Sequence, residues 1–336
     1  MRISTPLSQS LGINAMLDQQ AKMAKTQVQM ASGLRIVAPS DDPPAAVRAL
    51  ALKESIAVTD QFQVNVTMAR SRLSQEESAL DGLTTTLQRV YELSVRGAND
   101  SLNPSDRKSI AAEVDQLTEQ VRDLMNAKND GGESLFGGSV TSVKPFLFQP
   151  DATDPAKGVY TYQGDSNTHS TWIGPSYAIT TTDPGNLSFN IDATPPLGVV
   201  PAPNIWDPVT GPDQPPPPAH ARTWMAGSEP NILNVVMNFS QNMKDNWPDP
   251  QDIERLHRAM TKVDDIRVTV GGRLQALDNQ ENLNMKFIAD EKGYLSITQD
   301  LDFTEAISRL NLQTSALQAA QQAYAKVEKL SLFNFL

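Results

Sequence analysis

Proline placement constrains this chain more than any other feature. Eighteen of its 23 prolines fall between residues 139 and 250. A proline inside a helix costs about 3 kcal/mol, so this stretch cannot be helical throughout, while the flanks are free to form long helices. The same stretch holds all four tryptophans, Trp172, Trp206, Trp224 and Trp247. Short runs at 160–162, 172–173 and 177–182, rich in Thr, Tyr and Ile, alternate there with Gly and Pro turns, the pattern of short strands. The tryptophans are expected to fill a small core. The four prolines at 215–218 read as an exposed loop or a polyproline segment.

Outside the centre the pattern is helical. From Phe62 an apolar stripe runs through Val66, Ala69, Leu73, Leu80, Leu83, Leu87 and Val90, with Glu76 as the break in its alternating spacing of 4 and 3. A second stripe holds Ile110, Val114, Leu117, Val121 and Leu124, with Asn103 as its N-cap and Pro104 at the first helical position. A third follows the proline-rich block: Ile253, Leu256, Met260, Val263, Val270, Leu274 and Leu277. Such spacing keeps side chains on one helix face, and a structural core is its simplest meaning. Gly271 and Gly272 interrupt the third stripe, where close backbone packing or a local break in the helix would explain them.

The two ends carry heptad stripes as well. One passes through Ile3, Leu7, Ser10, Asn14, Leu17, Ala21, Ala24, Val28 and Ala31. The other passes through Phe303, Ala306, Leu310, Gln313, Leu317, Ala320, Tyr324, Val327 and Ser331. Both are rich in alanine and glutamine, and a buried Leu contributes only about 1.5–3 kcal/mol. The ends are therefore expected to pair with each other and then to need neighbouring subunits. Ile3, Leu7, Leu17, Val28, Leu310, Leu317, Tyr324 and Val327 are the predicted subunit-interface positions, and Val28, Leu310, Leu317, Tyr324 and Val327 are expected to be exposed until assembly. A chain that leaves and returns in this way forms nested domains. The expected fold is mainly α with a β-rich insertion. It comprises a terminal helical assembly domain (1–41 and 299–336), a helix-bundle core domain (42–138 and 251–298) and an inserted β-rich outer domain (139–250).

Composition removes whole classes of function. Lys and Arg total 28 against 39 Asp and Glu, a net charge of −11 with no basic cluster, so nucleic acid is not an expected partner. There is no cysteine, which excludes disulfides, thiolate zinc sites and cysteine nucleophiles. No apolar run reaches the ~18 residues of a membrane span, and no cleavable secretory signal is read at the N-terminus. The segment 132–139 approaches a phosphate-binding loop but has Gly138 in place of its lysine and follows a helix, so it reads as tight turns. His169, His220 and His257 stand far apart, and the pairs Asp41-Asp42 and Asp264-Asp265 read as solvated or capping groups. No catalytic, metal or cofactor-binding residue is expected.

The most informative short segment is Ser32-Gly-Leu-Arg-Ile-Val-Ala-Pro-Ser-Asp-Asp-Pro43, where one helix ends near Gly33 and another begins after Asp42. Ser40, Asp41 or Asp42 can cap the new N-terminus. The segment serves either as a plain connector or as a docking spoke between subunits, with Arg35 as an interface residue.

This segment resembles the signature that follows the first helix in the flagellin superfamily. Leu87-Gln-Arg-Val-Tyr-Glu-Leu-Ser-Val-Arg-Gly-Ala-Asn99 resembles the motif of that superfamily's long axial-core helix. Within it, the opening Met1-Arg-Ile-Ser-Thr5, the Pro39-Ser-Asp-Asp-Pro43 variant, the Gly137-Gly138 exit and the ending Leu330-Ser-Leu-Phe-Asn-Phe-Leu336 look most like the branch at the hook–filament junction. The resemblance spans roughly 1–138 and 251–336 and says nothing of the insertion. It implies a flagellin-like architecture with paired terminal coiled-coil helices, and export through the flagellar type III apparatus with no cleaved signal. The implied partners are further copies of the chain in a ring, the first hook-associated protein, flagellin, and a cytoplasmic export chaperone covering the C-terminal helix. Two alternatives remain beside it: a filament flagellin, and a secreted coiled-coil binding module whose insertion recognises glycans.

Overall fold

The computed structural model describes residues 5–150, 158–191 and 231–333; Ile3, Trp206, Trp224 and the prolines at 215–218 lie outside them. The elements in chain order are α1 (Thr5–Ser32), α2 (Pro43–Gly97), α3 (Pro104–Met125), β1 (Phe146–Pro150), β2 (Gly158–Tyr162), β3 (Ser170–Gly174), β4 (Tyr177–Thr180), α4 (Gly185–Ser188), α5 (Ile232–Lys244), α6 (Pro250–Gln299) and α7 (Phe303–Phe333). The fold is mainly α with a small β insertion. Its residues fall into two compact units, 1–61 with 284–336, and 62–283.

In the 62–283 unit the three interior stripes are the core. Val66, Leu73, Leu80, Leu83, Leu87 and Val90 of α2 are buried with Ile110, Val114 and Val121 of α3 and Leu256, Val263, Val270 and Leu277 of α6. Charge pairs fix the antiparallel register of α2 and α6. Arg70 reaches Asp278 at 2.8 Å and Glu281 at 2.5 Å, and Arg267 reaches Glu77 at 2.7 Å and Asp81 at 2.8 Å. Asn103 caps α3 by accepting from Asp106 N at 2.9 Å, with Pro104 just inside, as the sequence predicts. Gly271 and Gly272 lie within an unbroken α6, and a β-carbon on either would meet nothing within 4 Å. Neither close packing nor a break accounts for them.

The last part of the 139–250 block is helical. α5 buries Ile232, Val236, Phe239 and Met243 in the same core as α3, and Ser240 donates to Asp115 at 2.5 Å. The strands form two antiparallel hairpins, β1 with β2 (Phe146↔Tyr162, Phe148↔Tyr160) and β3 with β4 (Ser170↔Thr180, Trp172↔Ala178). A two-stranded hairpin is marginal by itself. Asparagine side chains supply what a third strand would. Asn126, at the end of α3, accepts from Phe146 N at 2.8 Å and donates to Phe146 O at 3.1 Å. Asn234 of α5 does the same to Tyr160, at 2.8 and 3.0 Å. Both outer edges of the first hairpin are thus paired with amides that mimic backbone. Phe146 then packs against Tyr162 and Phe189, ring centroids 5.4 and 6.0 Å apart. Trp172 is 57% exposed, so the expectation that the tryptophans fill a core fails for it: its strand turns Ile173 inward instead. Gly138 needs its positive φ of 71° and its missing β-carbon, which would lie 2.1 Å from the Asp165 carboxylate.

Candidate functional site

The terminal helices and the turns that join them to the rest of their unit form the candidate site. α1 ends where Gly33 adopts φ 72°, the left-handed conformation that closes a helix. The chain then crosses to α2 through a turn built on two carboxylates. Asp41 accepts from Val37 N at 3.1 Å and Ala38 N at 3.0 Å and pairs with Lys25 of α1 at 2.7 Å. Asp42 accepts from Ala45 N at 3.2 Å and pairs with Arg35 at 3.1 Å, so it is the N-cap of α2, with Pro43 at the first helical position. Ser40 is exposed and Asp41 closes the preceding turn, which resolves the three candidates for this cap. The Lys25 ammonium, then the Ala38 and Val37 amides, hold the Asp41 carboxyl down to about 2. The Ala45 amide and then Arg35 lower that of Asp42.

This outgoing turn is knitted to the returning one. Arg35 N donates to Gln299 O at 2.7 Å, Leu301 N donates to Gly33 O at 2.9 Å, and Leu34 bridges Asp300. Arg35 also donates through its guanidinium to Thr298 O at 2.7 Å. Gln29 secures the loop from within, donating to Arg35 O at 2.6 Å, and accepts from Arg309 of α7 at 3.4 Å. Arg35 thus bonds to Asp42 and to the end of α6 at once; heptad spacing alone does not reveal such a role.

Beyond these turns α1 and α7 lie antiparallel. From Ala306 on, the α7 stripe is turned away from solvent: Ala306 and Leu317 are buried, and Leu310, Gln313, Ala320 and Tyr324 are half-buried, while its first predicted member, Phe303, is 49% exposed. Leu317, at 8% exposure, is covered within one chain, which corrects the expectation that it is exposed until assembly. The α1 stripe is placed on the wrong face by the sequence reading. Leu17 is 55% exposed and Val28 52%, and Asn14, Ala21, Ala24 and Ala31 are exposed with them. The α1 residues withdrawn from solvent are Gly12, Met16, Gln19, Met23, Thr26 and Gln29, displaced by two positions, or about half a turn. Gln19 donates to Gln313 O at 3.3 Å, Thr314 to Met23 Sδ at 3.9 Å, and a β-carbon on Gly12 would sit 3.2 Å from the Tyr324 ring. The signal for this face is present in the sequence as Met16, Met23 and Met30, one methionine every seven residues. Leu7 lies in α1 and Val327 in α7, and only their backbones are described.

One helix pair therefore presents two kinds of surface. The inner seam is thin, made of methionine, glutamine, threonine and small residues. The outer face of α1 carries Leu17 and Val28, together with Leu11 and Ile13, without cover. Such a face is suited to burial against further helices rather than to chemistry. Among the described residues no group of three His, Asp or Glu could hold a metal ion, and no helix is long and apolar enough to cross a membrane.

The family model for the bacterial flagellin N-terminal helical region matches residues 3–141. Over 345 residues the chain is 27% identical to flagellar hook-associated protein 3 of Escherichia coli (strain K12), covering 99% of each. Through residues 3–141 the chain is similar to the flagellin superfamily. Filament members of that superfamily match less of it: a flagellin of Clostridium tyrobutyricum is 26% identical over 162 residues, 47% of this chain and 43% of its own. In fold, the crystal structure of the flagellar junction protein from Legionella pneumophila covers 69% of this chain and 99% of its own, with TM-score 0.52 at 18% identity.

Proposed function

We propose that this chain belongs to the flagellin superfamily and is the junction protein between flagellar hook and filament, a structural component and not an enzyme. The observation that carries the reading is the match to hook-associated protein 3 along 99% of both chains, against a flagellin match that stops at 47%. In this reading the chain leaves the cell unfolded through the flagellar export apparatus, held beforehand by a cytoplasmic chaperone on α7. It assembles as a ring of copies on the first hook-associated protein and presents the surface from which flagellin grows. Ile3, Leu7, Leu17 and Val28 of the N-terminal end, Arg35 of the connector, and Leu310, Leu317, Tyr324 and Val327 of α7 form the assembling part. The exposure of Leu17 and Val28 supports an outer role for the α1 face, and Leu317 acts through the α1–α7 seam. Residues 1–41 with 299–336, 42–138 with 251–298, and 139–250 are its nested domains, the proline-rich one outermost.

Cells lacking the gene are expected to complete hooks but shed flagellin monomers into the medium, scored by electron microscopy and by immunoblot of the supernatant. Full-length filaments on such cells would refute the assignment. Immunogold labelling is expected at one band next to the hook, whereas labelling along the whole filament would make the chain a flagellin.

A further inference from the structure

Glu76 is the odd member of the α2 core stripe. It stands between Leu73 and Leu80, is 0% exposed, and neither of its carboxyl oxygens has a hydrogen-bond donor. An ionised carboxylate without partners in a core is among the costliest arrangements a fold can hold. Two cations lie nearby, and both are committed elsewhere. Arg72, one turn earlier, gives its guanidinium to Thr181 O at 2.8 Å, Ser134 O at 3.2 Å, Leu135 O at 3.4 Å and the Glu133 carboxylate at 3.3 Å. Arg273 of α6 grips the Asp183 carboxylate with both terminal nitrogens, at 2.5 and 3.0 Å. What remains within hydrogen-bonding reach of Glu76 is Asp183 itself, another acceptor. Two carboxyl groups can bond to each other only through a proton.

We propose that Glu76 keeps its proton at neutral pH and donates it to Asp183, so that this one proton clasps the segment after β4 onto the α2–α6 helix pair. Asp183 follows Thr181 and Thr182, both buried, and precedes α4, whose Gly185 N donates to Phe136 O at 2.9 Å. The segment is thus moored at Thr181 by Arg72, at Asp183 by Arg273 and Glu76, and at Gly185 by Phe136. When the proton leaves for solvent, a second negative charge is left beside Asp183 in the core. The charged groups facing it are Arg72 and Glu133 on one side and Arg273 and Asp183 on the other, and their bonds are already made. Burial, then the Asp183 charge, act in the same direction and hold the Glu76 carboxyl well above the usual carboxylate range. A group raised by folding stabilises fully at low pH and loses that contribution as pH climbs through its folded value. The clasp is therefore strongest at acidic pH and weakens as pH rises from the ordinary carboxylate range toward the raised folded value.

The test uses the full chain in solution. Infrared difference spectra at neutral pH, wild type minus Glu76→Gln, are expected to show one protonated-carboxyl band; Asp252, present in both, cancels. Glutamine keeps a donor for Asp183 but has no proton to lose. Amide exchange of Thr181 and Gly185, corrected for the intrinsic base-catalysed rate, is expected to rise about tenfold or more in wild type from acidic to alkaline pH, and to stay flat in Glu76→Gln. If Glu76→Gln fails to fold, Asp183→Asn serves: it frees Arg273 to pair with Glu76, so the acid band should vanish. Absence of the band in wild type, its persistence in Asp183→Asn, or the same pH profile with and without Glu76 overturns the proposal.

Discussion

Asp252, in the first turn of α6, is fully buried and accepts from Asn238 at 3.2 Å, Asn242 at 2.7 Å and Arg255 at 3.1 Å. Burial and then the neighbouring Asp249 charge outweigh those donors and push its carboxyl up from 3.8 to about 7. Between these two values the folded chain binds more proton than the unfolded one, so the contribution of Asp252 is whole at acidic pH and is lost as pH rises through about 7. Asp252→Asn has no proton to lose. Its melting temperature relative to wild type is expected to climb from about pH 5 to pH 8, and a difference flat over that range would clear Asp252 of the effect. Asn234 is tested by stability alone. Asn234→Leu leaves the buried Tyr160 N–H without its acceptor and should cost about 1–3 kcal/mol in urea denaturation; an unchanged midpoint would mean the hairpin edge needs no side-chain pairing. Among these residues the role of Asn103 was legible, because an asparagine followed by proline at a helix start caps by local geometry. Those of Asn126, Asn234 and Asp252 were not, since each depends on what another element brings to it.

Helices show the same division. The stripes of α2, α3 and α6, and that of α7 from Ala306 on, are read correctly because bulky apolar residues recur there at heptad spacing, although others, such as Met68, Val268 and Leu312, stay exposed off those faces. That of α1 fails because its apolar residues are spread around the helix: Leu17 and Val28 on one side, Met16 and Met23 on the other. Periodicity then permits two faces, and the partner chooses between them. The choice fell on the methionine face, where Met23 Sδ accepts from Thr314 of α7 at 3.9 Å; flexible thioethers suit such a seam. The glycine pair of α6 carries an unrelieved helix cost. Gly271→Ala and Gly272→Ala, with open space around each β-carbon, are each expected to stabilise the soluble chain by about 1 kcal/mol. Thermal denaturation of the double variant checks this, and a lowered melting temperature would show that the helix needs glycine there.

The whole chain is expected to divide its surfaces between folding and assembly. Leu17→Asp with Val28→Asp places charge on the exposed α1 face, so the soluble protein should melt as wild type does yet fail to join the flagellum, with secretion measured separately. Leu317→Asp buries a charge in the α1–α7 seam and should cost the soluble protein a few kcal/mol as well. A fall in melting temperature for the Leu17 and Val28 variant, equal to that for Leu317, would erase this distinction. The sequence by itself determined that the centre could not be helical throughout, because proline interrupts it, and which faces of α2, α3, α6 and α7 are buried, because heptad spacing is a local property. It also carried the resemblance to the flagellin superfamily, through the motifs from Ser32 to Pro43 and from Leu87 to Asn99. Only the tertiary structure decided that α1 turns its methionines inward, that Asp42 caps while Asp41 closes a turn, that α5 joins the core of α3, and that Glu76 lies against Asp183. Each of these depends on a partner distant in the chain, and the free energy of burying a face or a charge is set by what covers it.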